Sequence, residues 1–146
     1  MKKPIMTWDE LTGFATFIIT ASDGSQHIGT AQCSPDDMLF KSEKIGMEIA
    51  ERRATISYLT YMRDHVIKPE LNALTKFLHV IDQSKKYYNP QDYTNQMLIR
   101  TIERNQKLLH EMQDEIHSLK EDLKTYISDK EEFHKHVIDY RKAKNQ

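Results

Sequence analysis

The stretch Leu98-Ile99-Arg100-Thr101-Ile102-Glu103-Arg104-Asn105-Gln106-Lys107-Leu108-Leu109-His110-Glu111-Met112 decides the fold. Leu98, Ile102, Asn105, Leu109 and Met112 alternate steps of four and three, and Ile116, Leu119, Leu123, Tyr126, Phe133, Val137 and Tyr140 extend the seam. That spacing is the period of a coiled-coil helix. Asn89-Pro90 supplies a start, with Asn as N-cap and Pro at the first helical position. Ser128, followed three residues later by Glu131, resembles a capping box. The spacing therefore predicts a break there and a short terminal helix.

Upstream, Ile45, Ile49, Ile56, Leu59 and Val66 form a second seam starting near Ser42, a plausible N-cap. Pro69 interrupts it, and the seam resumes at Leu71, Leu74, Leu78 and Ile81. This reads as a kinked pair of helices, Ser42 to Lys68 and Pro69 to Gln83. A basic and aromatic loop, Lys85-Lys86-Tyr87-Tyr88, separates the two helical arms. An antiparallel helical hairpin follows. Two helices cannot cover every apolar residue in these seams, so partner chains are expected to complete the core.

The region before Ser42 is of a different kind. Phe14 to Thr20 is rich in β-branched and aromatic residues, Ser22-Asp23-Gly24-Ser25 carries turn chemistry, and His27 to Cys33 returns. A β-hairpin over Gly13 to Cys33 must pack on a helix or pair with another subunit, because two strands alone are barely stable. Ser34-Pro35-Asp36-Asp37 reads as a turn. The expected fold is mainly α with a small N-terminal β element. It forms a single domain of three parts: a β module (1–41), a helical hairpin (42–127) and a C-terminal extension (128–146).

Composition narrows the function. With 21 Lys+Arg against 22 Asp+Glu, the chain lacks the basic surplus of a nucleic-acid polymer binder. Cys33 is the only cysteine, which excludes an intramolecular disulfide and fits a reducing compartment. Met1 to Trp8 holds no apolar run of signal-peptide length, and no segment has the ~20 apolar residues of a membrane span. His110, Asp114 and His117 lie a turn apart, but ordinary solvated charges flank them and no HExxH pattern exists. No activated nucleophile, phosphate loop or dinucleotide fingerprint is present. The chain reads as a non-enzymatic binder that needs no cofactor.

Arg100 and Arg104 share one face of the long helix and point away from its seam. Two neighbouring guanidinium forks suit phosphate recognition, although a solvated charged face has the same spacing. Phe77 flanks its seam and lies about one turn away along the expected hairpin, so it could stack a purine. From Arg63 to Lys107 there are eight Lys/Arg and five Asp/Glu, whereas Glu111 to Glu132 has three Lys and eight Asp/Glu. A modest positive patch near the inter-helix loop suits a small phosphorylated ligand better than a long polyanion.

The chain also resembles the phage-encoded type-one anti-Thoeris sponge proteins. The resemblance rests on Gly29-Thr30-Ala31-Gln32-Cys33-Ser34-Pro35-Asp36-Asp37, on Ile45-Gly46 with Ile49-Ala50, on Arg53-Ala54-Thr55-Ile56 with Leu59, and on Tyr88-Asn89-Pro90 followed by Met97, Arg100 and Arg104. It implies a protein of the bacterial host cytoplasm that sequesters cyclic ADP-ribose isomers made by TIR-domain defence enzymes and leaves them uncleaved. It implies dimers that assemble further, with pockets between subunits, and in some members capture of cyclic oligonucleotides. By this resemblance Arg100 and Arg104 grip phosphates, Phe77 stacks on adenine, Arg53 arrives from the neighbouring chain and Asn89 lines the pocket. Counted from the loop, Arg53 falls opposite about Lys120, roughly 30 Å from Arg100 along one hairpin, so a shared pocket needs two chains. The competing reading is a coiled-coil structural or regulatory phage protein that binds a host protein.

Overall fold

A computed structural model describes residues 2–34, 41–83 and 93–144. The chain is mainly helical, with a small antiparallel sheet at its N-terminal end. Strands β1 (Ile5–Asp9), β2 (Phe14–Thr20) and β3 (Gln26–Gln32) lie in that order in the sheet. Helix α1 (Glu43–Met62) leads through a π-helical turn (Arg63–Ile67) into α2 (Lys68–Gln83), and α3 spans Tyr93–Lys144. Two compact units result, residues 1–58 with 117–146, and residues 59–116.

The sheet extends the hairpin expected from the sequence by one strand. Asp9 to Gly13 reverses the chain: the Asp9 carboxylate accepts from the Leu11 amide at 2.9 Å, and the Gly13 amide donates to the Asp9 carbonyl at 2.8 Å. Gly13 sits at φ +68°, where a side chain is strained. That turn pairs Ile5 with Ile18 and Trp8 with Ala15. The second turn uses Gly24 at φ +86°, with the Asp23 carboxylate accepting from the Ser25 amide at 2.9 Å.

Strand alternation sorts the side chains. Ala15 and Phe17 of β2 and His27, Gly29 and Ala31 of β3 are buried on one face. Ile5, Ile18 and Ile28 stand directly opposite one another on the other face. The buried face meets Ala50 and Ala54 of α1, and Trp8, Ile19, Met47 and Ile49 pack around that cluster. Gly29 sets the distance, because a Cβ there would collide with backbone atoms of Ala50 and Ala54. Glycine within a strand marks such a backbone approach. His27 is buried in the same layer, with Nε2 2.9 Å from Ser25 Oγ and its ring edge-on to Tyr58.

The helices begin and join for local reasons. Ser42 Oγ accepts from the Ile45 amide at 3.3 Å, the expected N-cap. The expected boundary between Lys68 and Pro69 is instead a π turn placed just before the proline, with the Lys68 amide donating to Arg63 O. A widened turn absorbs the register shift that a missing proline N–H imposes. The break expected at Ser128 does not occur, and α3 continues to Lys144. Ser128 itself is exposed, while Tyr126, Ile127 and Lys130 around it are half-buried, so packing on both sides outweighs a local capping signal. In the unit 59–116, Ile67, Ile102 and Ile116 are buried. The Asn105 side-chain nitrogen on that seam is buried with no partner among the described residues, at a cost of about 1–3 kcal/mol.

Gly29→Ala should destabilise the protein by about 3 kcal/mol or more, because its Cβ strikes backbone and no rotamer relieves it. Gly24→Ala, with open space but positive φ, should cost only about 1 kcal/mol. Urea denaturation midpoints of the two variants check this contrast. Equal costs would mean that the sheet and α1 do not meet backbone to backbone.

Candidate functional site

The unit 59–116 carries three of the residues singled out by sequence. Around α3 each residue advances about 100°, which puts Arg100 and Arg104 about 160° from the buried Ile102 and about 40° from each other. Both are exposed, and neither makes an ion pair or hydrogen bond among the described residues. Helical spacing thus brings the two guanidinium groups to one solvent-facing patch. On α2, Leu71, Leu74, Leu78 and Ile81 are half-buried, whereas Phe77, one residue off that seam, is 55% exposed. An aromatic ring left that open has its face available for stacking.

Arg63 and Lys68 of this unit are paired locally. Arg63 Nε donates to Asp64 Oδ1 at 2.8 Å and Nη2 to Oδ2 at 3.2 Å, and Lys68 Nζ lies 3.4 Å from Asp64. The Arg63 bond holds the Asp64 carboxyl below its ordinary range, and the same bond raises the Arg63 guanidinium. The Tyr61 and His65 rings stack at 4.7 Å.

Arg53 belongs to the other compact unit. Its Nη1 donates to the Thr30 carbonyl at 2.7 Å, which ties the side chain to β3. Its neighbour Arg52 lies over the Tyr126 ring, Cζ 4.7 Å from the centroid. A backbone carbonyl and an aromatic face thus hold these two arginines. Counting from the loop paired Arg53 with about Lys120, whereas the structure sets Arg52 against Tyr126. Packing of the tyrosine fixes the register, and symmetric counting cannot find it. Asn89 and the loop Ser84–Asn89 lie outside the described residues, as does the turn residue pair Asp36-Asp37.

No protein-family model matches the chain, and no curated protein or solved structure is significantly similar to it. The chemistry of the site is accordingly read from its own residues. Among the described residues no cluster of three or more His, Cys, Asp or Glu is placed to hold a metal ion. His110 Nε2 lies 3.4 Å from Asp114 Oδ2, an exposed pair one turn apart on α3. Among the described residues no helix is long and apolar enough to cross a membrane.

Two features escaped the sequence reading. The first is Tyr126, assigned there only to an apolar seam. Burial and a hydrogen bond to the Glu48 carboxylate push its hydroxyl up to about 12. Lys130 Nζ approaches the same ring at 5.3 Å. The second is a cleft of about 220 Å³ in the same unit, with Trp8, Ile45, Ile49, Arg53 and Lys130 in its lining. Trp8 is the only tryptophan in the chain, and its Nε1 donates to Glu10 at 2.6 Å. A ring so placed was the available signal, but its cleft partners are distant in sequence.

A hydroxyl with a raised pKa stabilises the fold while it stays protonated. The Tyr126 contribution should be complete below pH ~10, and should fall away as the pH rises from there through about 12. Ultraviolet titration of wild type against Tyr126→Phe should isolate one late-ionising phenol. In Glu48→Gln that phenol should titrate earlier. An unchanged midpoint in Glu48→Gln would contradict the hydrogen bond.

Proposed function

We propose that this protein is a phage anti-defence protein that binds and sequesters cyclic ADP-ribose-type immune signals without cleaving them, with cyclic oligonucleotides as a second ligand class. The observation that carries the reading is the exposed Arg100 and Arg104 pair on one face of α3. Exposed arginines a turn apart present two forks to a pyrophosphate, with little desolvation to overcome before binding. The exposed Phe77 ring supplies a stacking surface for the base. The resemblance in Arg53-Ala54-Thr55-Ile56 and Tyr88-Asn89-Pro90 supports the same assignment. Arg53 from a neighbouring subunit completes the pocket in this reading, and Asn89 lines it.

The protein acts in the bacterial host cytoplasm as a homo-oligomer, with dimers assembling further around a kinked antiparallel helical hairpin. Exposed Phe133 (61%) and Tyr140 (67%), two turns apart on α3, support coverage by a partner chain. The same two residues favour the second reading, a coiled-coil regulatory protein that binds a host protein. The two readings part on nucleotide affinity.

Calorimetric titration with cyclic ADP-ribose isomers tests the proposal. Arg100→Ala with Arg104→Ala should weaken binding by more than about a hundredfold, since each charge-assisted hydrogen bond contributes roughly 1.5–3 kcal/mol. The variant should keep its stability within ~0.5 kcal/mol, as surface substitutions do. Phe77→Ala should cost less, by ~1–3 kcal/mol. A folded double variant with normal affinity would refute the phosphate clamp. A native protein with no affinity for any cyclic nucleotide would leave the host-protein reading in its place.

A further inference from the structure

The cleft in the unit formed by residues 1–58 and 117–146 is lined by neither Arg100, Arg104 nor Phe77, and Arg53 is the residue it shares with the nucleotide pocket proposed above. Its apolar surface comes from Ile45 and Ile49 of α1, Ile127 of α3 and the ring of Trp8. Trp8 borders the space that a side chain at Gly46 would fill, so glycine at that position keeps the indole against α1. Two cations, Arg53 and Lys130, share the lining with one carboxylate, Glu131. One Arg53 nitrogen is held by the Thr30 carbonyl. A guanidinium has five N–H donors, so that bond fixes the group at the wall and leaves donor capacity. A fixed donor beside an apolar surface lowers the ordering cost of binding.

These features select a ligand class. The volume of about 220 Å³ is below the ~300–1,000 Å³ of sites that take drug-sized molecules, which limits the occupant to one or two fused rings and a head group. The indole and isoleucine surfaces suit a flat apolar body. Arg53 and Lys130 suit an anionic head, and Glu131 opposes a second negative charge. We propose that this cleft is a binding site for a small aromatic monoanion, with the ring on Trp8 and the anionic group between Arg53 and Lys130.

The indole N–H of Trp8 gives a single side-chain signal in the nitrogen–proton spectrum, because the chain has one tryptophan. Labelled full-length protein is titrated with naphthalene-1-sulfonate and, separately, with the uncharged naphthalene-1-methanol. The sulfonate is expected to shift the Trp8 signal saturably, and the alcohol to bind at least about tenfold more weakly, the loss of one charged hydrogen bond. Arg53→Gln and Lys130→Gln should each weaken the sulfonate about tenfold and leave the alcohol unchanged. Arg100→Ala with Arg104→Ala should leave the sulfonate affinity as it is, which separates this site from the phosphate clamp. Lys130→Gln decides the matter if loss of the Thr30 bond disturbs β3 in Arg53→Gln. A Trp8 signal unmoved at millimolar sulfonate, equal affinity for the alcohol, or full sulfonate affinity in Lys130→Gln would each overturn the proposal.

Discussion

The approach of β3 to α1 at Gly29 is the constraint on which the first compact unit depends. A three-stranded sheet of short strands has little area with which to hold a helix. It holds α1 because Gly29, Ala15, Ala31, Ala50 and Ala54 are small enough for sheet and helix to come close, and Phe17 then closes the layer. The buried residues are mostly alanines, so each contributes little apolar area and the fit matters more than bulk. The same smallness has a second consequence in this unit. Gly13, Ala31 and Gly46 line the cleft beside Trp8 and leave space that larger residues would fill.

Charge and aromatic surface are divided differently in the two units. In residues 1–58 with 117–146, arginine side chains are engaged: Arg52 by the Tyr126 ring and Arg53 by a β3 carbonyl. In residues 59–116, Arg63 is paired with Asp64, while Arg100 and Arg104 make no ion pair among the described residues. Exposed paired arginines contribute little to stability. Two of them on one face turned away from the apolar seam therefore support a role outside folding, and the proposed phosphate clamp supplies one.

How much was legible follows the range of the physics. Ser42 as N-cap, Gly24 as a positive-φ turn residue and the seam around Ile102 depend on neighbours within a few positions, and all three stand in the structure. Strand β1 was missed because Ile5–Asp9 is short and is a strand only through pairing with β2. The break at Ser128 was misread because a capping signal worth ~1 kcal/mol loses to the packing on either side. The exposure of Arg100 and Arg104 was readable from helical phase alone. The attachment of Arg53 to Thr30 and the stacking of Arg52 on Tyr126 join positions far apart in sequence, and periodicity carries no trace of either.

The central claim is capture of a phosphorylated cyclic signal without chemical change. The most direct measurement incubates the protein with a mixed nucleotide extract, isolates it, denatures it and identifies what is released by mass spectrometry. The expected result is an intact cyclic nucleotide bearing phosphates, present with the native chain and missing from the Arg100→Ala, Arg104→Ala variant. Release of a linear product would show an enzyme, and an empty native protein would contradict the account.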